Sequence, residues 1–281
     1  MKNIIFTGGN GMLGSAFQIV LENNSDYSTT FLTIDDLELT NSDAVEEYFN
    51  NNACDILINC AAYTQVDQAE TDEAIAFKVN GDVVGHLSKL CKEKGIVFVN
   101  YSTDYVFDGE NKDGYSEDAE VDPLNAYGRS KAIGEKLLKE NGDKYYNIRT
   151  QWLYGPKGKN FVDTIINAFK EGKNLKIVND QFGSPTYTLD LAKKTLDIIE
   201  KNEPYGFYHV TNTGVCSWHE FTEYFLKIFN NSPVDVAEVS SDEFPRPAKR
   251  PHYSALINNK TESMRSWKEA VEEYVKTLSN N

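Results

Sequence analysis

The chain opens with a short apolar run that leads directly into TGGNGMLG, Thr7–Gly14. Four of these eight residues are glycines, and they fit both a G-x-G-x-x-G and a G-x-x-G-x-x-G spacing. Glycine adopts backbone conformations that other residues avoid, and it lets another backbone or a ligand approach closely. The stretch therefore predicts a strand that turns tightly into a helix, with either a neighbouring strand or a pyrophosphate against the bare backbone.

Apolar runs alternate with helical patterns through the first half of the chain. The predicted strands are Asn3–Thr7, Thr30–Ile34, Asp55–Cys60, Ile96–Ser102 and Tyr145–Arg149. The predicted helices are Met12–Glu22, Ser42–Asn50, Asp72–Lys94 (broken near Gly81) and Tyr127–Glu140. Strands that are apolar on both faces and alternate with helices indicate a parallel sheet between helical layers. We therefore predict an α/β fold with a Rossmann-type, doubly wound parallel sheet.

The alternation loosens after Arg149. Short strands are predicted at Leu175–Val178 and Gly206–Val210, and the predicted helices are Asn160–Glu171, Thr188–Lys201, Ser217–Asn230 and Trp267–Leu278. We expect residues 1–150 to form a dinucleotide-binding domain whose sheet is completed by segments from about 160–203. The remainder of 151–281 is expected to form a smaller, interleaved C-terminal substrate lobe with a discontinuous boundary.

Composition excludes several functional classes. The 281 residues carry a net charge of −15, which argues against nucleic acid or an anionic membrane as a partner. The sequence has no N-terminal targeting pattern and no apolar run long enough to span a bilayer. Neither the histidines nor the cysteines have metal-ligand spacing, so no metal site is predicted. The cysteines form no C-x-x-C pair and read as reduced thiols of a cytoplasmic protein: Cys54, Cys60, Cys91 and Cys216.

The glycines stand where a dinucleotide fingerprint requires them, after the first strand and at the start of the first helix. About 20 residues further on, the second predicted strand ends in Ile34-Asp35-Asp36. A carboxylate there would accept hydrogen bonds from the adenosine ribose and repel a 2′-phosphate, so we expect NADH to be usable alongside NADPH. The alternative is a structural turn followed by a solvated pair of aspartates.

A second group of residues, Tyr127, Lys131 and Thr103, offers a candidate proton donor. Tyr127 and Lys131 are four residues apart, hence on one face at the start of a helix. A lysine ammonium beside the tyrosine would favour the phenolate and lower the tyrosine pKa, allowing proton transfer near neutral pH. Thr103 directly follows the fourth predicted strand and could bond the same substrate oxygen. The alternatives are an exposed helical pair for Tyr127 and Lys131 and a local cap or turn for Thr103.

Together with further stretches, these motifs resemble the extended short-chain dehydrogenase/reductases that act on nucleotide sugars. The resemblance covers most of the chain, and several of its motifs are long. They are TGGNGMLG, INCAAYTQVDQAE (Ile58–Glu70), YSTDYVFDG (Tyr101–Gly109), PLNAYGRSK (Pro123–Lys131), RTQWLYG (Arg149–Gly155), VNDQFGSPT (Val178–Thr186) and RPAKRPHYSAL (Arg246–Leu256).

The resemblance implies a set of site residues. The catalytic set would be Thr103, Tyr127 and Lys131, and the sugar-contacting positions would be Thr103, Asp104 and Trp152. For Trp152 the alternative is a core aromatic. The implied positions for NADH or NADPH, which include both Tyr127 and Lys131, are Gly8, Gly11, Met12, Leu13, Gly14, Asp35, Glu38, Leu39, Ala62, Tyr63, Thr64, Tyr127 and Lys131.

The resemblance also implies a reaction, the reduction of the C4 keto group of a dTDP-linked hexose by hydride from NADH or NADPH. A dehydratase is disfavoured because Tyr105 follows Asp104 where that branch has a glutamate. Another nucleotide-sugar reductase, an epimerase and a non-catalytic NAD(P)-binding module remain alternatives. The basic residues of the RPAKRPHYSAL segment could face the substrate diphosphate or be solvated; they are Arg246, Lys249 and Arg250.

The residues that follow the last fingerprint glycine bear on metal binding and assembly. Some members of the family form dimers bridged by a divalent cation that a glutamate holds just after the last fingerprint glycine. Ser15 and Ala16 follow Gly14 here, and neither offers a carboxylate. We therefore expect that Mg²⁺ is not required and that the protein is a monomer or a homodimer.

Overall fold

The structure is a computed structural model that describes residues 1–279. Its helices are α1 (Met12–Leu21), α2 (Ser42–Asn51), α3 (Glu73–Phe77), α4 (Val83–Lys94), α5 (Ala126–Asn141), α6 (Phe161–Lys170), α7 (Thr188–Glu200), α8 (Trp218–Asn230) and α9 (Trp267–Ser279). Its strands are β1 (Lys2–Thr7), β2 (Tyr27–Leu32), β3 (Ile56–Asn59), β4 (Val97–Thr103), β5 (Tyr145–Thr150), β6 (Leu153–Tyr154), β7 (Lys176–Val178), β8 (Phe182–Gly183), β9 (Thr186–Tyr187), β10 (Gly206–His209), β11 (Cys216–Ser217) and β12 (Ala237–Val239).

Six strands form one parallel sheet in the order β10-β5-β4-β3-β1-β2. The chain winds outward from β1 to β2 and then crosses to β3 on the other side of β1. This reversal opens a crevice beyond the carboxyl ends of β1 and β3, where doubly wound sheets bind their ligands. The predicted α/β class and the Rossmann-type sheet are confirmed.

Two helical layers cover the sheet. On one face, Phe17 of α1 and Leu191 of α7 pack with Phe6 and Ile148 of the strands. On the other face, side chains of α2, α4 and α5 pack against Ile5, Leu57 and Phe98 of the strands. Both faces of the central strands β3, β4 and β5 are therefore buried, as continuous apolar strand sequences require.

The substrate lobe has its own apolar core, built mainly from α6, α8 and α9. Within this lobe α8 begins at a capping box in which Ser217 and Glu220 bond each other's backbone N–H groups. The segment predicted to complete the sheet, about 160–203, contains α7 but not β10, which lies just beyond it at Gly206–His209. Helix α7 packs on α1, whereas the helices on either side of it in sequence, α6 and α8, pack in the core of the lobe, a pattern that fits the discontinuous boundary predicted from the sequence.

The structure contains the predicted helix break near Gly81, but it ends the second strand earlier than predicted. The break predicted near Gly81 is present, because a π-helical turn at Lys78–Asp82 separates α3 from α4. By contrast, β2 ends at Leu32 instead of Ile34. Asp36 stops the strand, since its carboxylate accepts hydrogen bonds from the amide (2.8 Å) and the hydroxyl (2.7 Å) of Thr33 and closes a turn. Among residues 1–279, no helix is both long and apolar enough to cross a membrane.

Candidate active site

The glycine turn meets a neighbouring strand and also leaves amides open. Gly8 has a φ of +63°, and a Cβ there would lie 2.7 Å from the amide nitrogen of Ala61. A Cβ on Gly14 would lie 2.4 Å from the carbonyl oxygen of Gly8. Gly11 is the N-cap of α1, so the next N–H groups, those of Met12 and Leu13, have no acceptor within the helix. The neighbouring-strand interpretation of the opening stretch is therefore confirmed for Gly8. The open amides fit an anion, so pyrophosphate binding at this turn stays a prediction.

A cavity of about 430 Å³ extends from this turn along the crevice between β1 and β3. It has an apolar wall and few polar groups, as a slot for an adenine and a ribose requires. Six of the predicted cofactor positions line it: Gly8, Gly11, Glu38, Leu39, Ala62 and Tyr63. With the open amides of α1 at one end, these residues fit a dinucleotide.

Some of the predicted cofactor positions do not line this cavity. Met12, Leu13 and Gly14 form the first turn of α1 beside it. Thr64 instead lines a more open groove that it shares with Asp67 and Arg250.

Asp35 does not line the cavity, contrary to the ribose-binding role predicted for it. Because β2 ends early, Thr33 takes the place at the strand end and lines the cavity together with Ile34. Asp35 lies in the following turn with its side chain exposed. The carboxylate next to the strand end is that of Asp36, which Thr33 holds by two hydrogen bonds.

Asn80 positions the Tyr63 end of the cavity, and sequence reasoning missed it. Its side chain accepts from the amide of Tyr63 and donates to the carbonyl of Tyr63, both at 2.9 Å. It also donates to the hydroxyl of Ser130 on α5 at 2.9 Å. Asn80 lies in the π-helical turn and is 1% exposed. The predicted break near Gly81 was the signal that could have identified it, since π-turns occur frequently at functional sites.

The start of α5 is packed against the turn that follows β4. Asn125 caps the helix by accepting from the amide of Gly128 at 2.8 Å. A Cβ on Gly128 would lie 2.1 Å from the carbonyl oxygen of Tyr105, so only glycine permits this approach. The packing brings Tyr127 close to Thr103, the last residue of β4, near enough for the Thr103 side chain to lower the pKa of Tyr127. Thr103 and Tyr127 are therefore brought together as predicted.

The electrostatics of Tyr127 differ from the expectation. Burial, with a smaller contribution from the nearby carboxyl of Asp104, raises the pKa of Tyr127 to about 12, although Thr103 acts to lower it. Lys131 does not offset the burial, because its ammonium donates to the carbonyl oxygen of Tyr101 at 2.6 Å. Burial also lowers the pKa of Lys131 to about 8, partly countered by Glu135. The predicted lowering of the Tyr127 pKa is wrong for this structure, since desolvation outweighs the lysine charge.

A row of buried polar side chains runs across the sheet toward α5. The hydroxyl of Thr7 donates to Asn59 at 2.6 Å, Asn59 donates to Asn100 at 3.0 Å, and Asn100 donates to Asn147 at 2.9 Å. Asn147 then donates to Glu135 at 3.3 Å, one helical turn after Lys131. These strand residues are direct neighbours in register. The row ties the glycine turn to the helix that carries Tyr127, and no local motif signals it.

Trp152 lies at the edge of the lobe in a strained backbone conformation with a φ of +49°. Its indole is half-buried and stacks on that of Trp218, with ring centroids 3.6 Å apart and planes 11° apart. Trp218 in turn packs on Phe161. Trp152 therefore belongs to an aromatic stack at the lobe surface, a contact that its sequence neighbours do not reveal because Trp218 is distant in the chain.

A second cavity, of about 520 Å³, lies in the lobe beside this stack. Aromatic side chains and cations share its lining: Tyr105, Phe161, Lys176, Trp218, Phe244, Arg246 and Arg250. Lys249 is exposed and does not line it. Arg250 forms an ion pair with Asp67 of the other domain and donates to the carbonyl of Ala248 at 2.6 Å. The basic segment thus contributes two of its three cations to a cavity.

The described part of the chain, residues 1–279, contains no cluster of three or more side chains suited to a metal ion. Its four cysteines are free thiols.

Known proteins share this architecture over their whole length. The RmlD substrate binding domain family matches residues 1–280. The spore coat polysaccharide biosynthesis protein SpsK of Bacillus subtilis is 35% identical over 286 residues, which cover 100% of this chain and 99% of that protein.

Two solved structures are close in both sequence and fold. A dTDP-4-dehydrorhamnose reductase from Clostridium acetobutylicum is 42% identical with a TM-score of 0.93, covering 98% of this chain and 99% of that one. The dTDP-4-dehydrorhamnose reductase of Bacillus anthracis, solved in complex with NADP, is 39% identical with a TM-score of 0.94, covering 99% of this chain and 100% of that one. With the family match spanning both the dinucleotide cavity and the lobe, the chain belongs to the RmlD substrate binding domain family.

Proposed function

We propose that this protein reduces the C4 keto group of dTDP-4-dehydro-L-rhamnose to give dTDP-L-rhamnose, with NADPH or NADH as the reductant. The observation that carries the proposal is that Thr103 and Tyr127 lie close together at the carboxyl edge of the sheet, the same edge that holds the dinucleotide cavity. The substrate follows from the reductases that this chain resembles over nearly its whole length.

The bound nicotinamide cofactor supplies a hydride to the C4 carbon. As the carbonyl oxygen gains negative charge, the hydroxyls of Thr103 and Tyr127 stabilise it. Tyr127 then gives its proton to this oxygen. The raised pKa of Tyr127 keeps it protonated until the alkoxide forms. Lys131, whose ammonium is held by the carbonyl of Tyr101, serves in cofactor binding.

The lobe cavity suits the nucleotide part of the substrate. Its aromatic side chains, among them Phe161 and Trp218, offer flat surfaces to a base. Its guanidinium groups, Arg246 and Arg250, offer bidentate donors to a diphosphate. In our proposal Trp152 and Asp104 contact the sugar.

A substrate panel tests the proposal. Purified protein is mixed with dTDP-, GDP- and UDP-linked 4-keto sugars and either NADPH or NADH, and cofactor oxidation is followed together with product identification. We expect steady turnover with the dTDP-linked 4-keto-6-deoxy sugar and formation of dTDP-L-rhamnose. A non-catalytic module would bind the cofactor without turnover, and an epimerase would change the sugar without net oxidation of the cofactor.

Metal, assembly and cellular location extend the proposal. We propose that hydride transfer needs no divalent cation, that the protein works as a monomer or homodimer, and that it resides in the cytoplasm, where its free thiols stay reduced. Activity and light scattering before and after EDTA treatment should be the same. A loss of activity that Mg²⁺ reverses would contradict the first of these statements.

A further inference from the structure

Asp104 is a buried carboxyl group without the partners that a buried carboxylate needs. It is 2% exposed. Its Oδ1 accepts a hydrogen bond from the hydroxyl of Thr103 at 3.0 Å, but its Oδ2 is buried and has no hydrogen-bond partner among residues 1–279. No lysine, arginine or histidine of the described chain forms an ion pair with it, and Arg250, which acts on the neighbouring Tyr105, is paired with Asp67. A buried carboxylate in such surroundings is costly, whereas the neutral acid is not.

The titratable and polar groups around Asp104 come from three elements. Tyr105 follows it in the chain, Tyr127 faces it from α5, and Ser254 faces it from the C-terminal segment. The hydroxyl of Ser254 makes its own contacts with Gln151 Oε1 and the carbonyl of Phe182, both at 3.4 Å. Burial raises the pKa of Asp104 to about 7 against the smaller opposing effects of Ser254 and Thr103.

The protonation of Asp104 decides where the single proton of Thr103 points. A threonine hydroxyl donates one hydrogen bond and accepts two. When Asp104 is a carboxylate, Thr103 donates to it and has no proton left for a substrate oxygen. When Asp104 is a carboxylic acid, it can donate to Thr103, whose oxygen also accepts from the amide of Tyr105 at 3.2 Å. The proton of Thr103 is then free.

We propose that Asp104 works as a neutral carboxylic acid that donates to the hydroxyl of Thr103 and thereby turns the proton of Thr103 toward the substrate carbonyl oxygen. Asp104 is in this respect a positioning residue, and its role rests on the proposed reductase function. This role differs from that of an ionised sugar contact, in which the carboxylate accepts from sugar hydroxyls.

The first experiment needs no substrate. The melting temperatures of wild type and Asp104→Asn are compared at pH 5 and pH 8. A carboxyl whose folded pKa is raised gives the folded protein stability at low pH that is lost as pH rises through the folded pKa near 7. The melting temperature of Asp104→Asn relative to that of wild type should therefore be several degrees higher at pH 8 than at pH 5. A protonated-carboxyl C=O band in the infrared difference between wild type and variant at pH 6 would agree, whereas a constant difference in melting temperature would overturn the proposal.

The second experiment measures kcat/KM, which reports the ionisation of the free enzyme, at pH 6 and pH 8. In wild type the ionisation of Asp104 alone should lower kcat/KM about tenfold between pH 6 and pH 8. The amide of Asp104→Asn can donate to Thr103 at every pH, so only the ionisation of Lys131, with its pKa near 8, remains. Whatever the absolute rate of the variant, its kcat/KM should therefore fall only about twofold between pH 6 and pH 8.

Two further variants separate positioning from structure. Asp104→Leu cannot donate to Thr103 and should be much slower than Asp104→Asn at pH 6. Thr103→Val removes the group that Asp104 acts through, so adding Asp104→Asn to it should not change its pH profile further. A wild-type profile retained in Asp104→Asn would overturn the positioning role. No turnover by wild type with any keto sugar would overturn the proposed function and this role with it, while the melting experiment would still report whether Asp104 is neutral.

Discussion

The cavity at the glycine turn and the cavity of the lobe are built in opposite ways. The first forms where the carboxyl ends of β1 and β3 diverge, and its polar end consists of backbone amides from one short stretch. The second is assembled from side chains of α6, α8, the Tyr105 turn and the basic segment around Arg250, which are far apart in the chain. A site made of backbone is sensitive to any added Cβ, whereas a site made of side chains is sensitive to the loss of particular functional groups.

Replacement of Tyr127, the proposed proton donor, should have the largest effect. Tyr127→Phe removes the proton donor but little volume, so kcat should fall by about 10²-fold or more while NADPH binding stays nearly intact. Stopped-flow rates and a fluorescence titration with NADPH measure the two quantities. Tyr205→Phe, at an exposed tyrosine, is the matched control. A Tyr127→Phe variant that keeps most of its rate would remove Tyr127 from the mechanism.

The backbone-built cavity is tested with Gly8→Ala. The added Cβ would lie 2.7 Å from the backbone of Ala61 at a φ of +63°, so the turn must move. We expect the Kd for NADPH to rise at least about tenfold, the equivalent of about 1.4 kcal/mol. Gly95→Ala is the control because Gly95 has a similar φ of +72° but open space around a Cβ. Equal effects of the two variants on NADPH binding would show that backbone strain, and not the close approach, matters.

The side-chain-built cavity is tested with Arg250→Met. Loss of a guanidinium that binds a diphosphate should raise KM for the nucleotide sugar about tenfold or more, because hydrogen bonds to charged groups contribute about 1.5–3 kcal/mol. NADPH affinity, which depends on the other cavity, should change little. Lys249→Met is the neighbouring control, since Lys249 is exposed and lines no part of the cavity. If both variants raise KM equally, the cavity does not hold the diphosphate.

The smallest effect is expected for Asp35→Ala. Asp35 is exposed and does not line the dinucleotide cavity, so the ratio of NADPH to NADH use should change by no more than about twofold. Steady-state kinetics with each reduced cofactor measures this ratio. A clear gain in NADPH use would instead support the ribose-binding role that the sequence predicted for Asp35, and it would show that the turn after β2 rearranges.

The sequence predicted the backbone-built region better than the side-chain-built one. The glycine spacing and the strand and helix patterns predicted the turn, the parallel sheet and the break near Gly81. The sequence placed Trp152 among the sugar contacts, but it did not predict the contacts of the side-chain-built region. The Trp152–Trp218 stack and the pairing of Arg250 with Asp67 each join segments that are distant in the chain. Local patterns carry no information about such pairs. Resemblance to a family supplied residue identities there, but not their contacts.

The sequence by itself determined the fold class, the turn that offers amides to an anion, and the helical spacing of Tyr127 and Lys131, because each follows from local backbone rules. The tertiary structure decided the protonation chemistry. It buried Tyr127 and Asp104, so that desolvation raises the pKa of both, and it directed Lys131 to the carbonyl of Tyr101. It also moved Asp35 out of the crevice by ending β2 at Leu32. Burial and the free energy of ionisation depend on everything that surrounds a group, and only the folded chain fixes those surroundings.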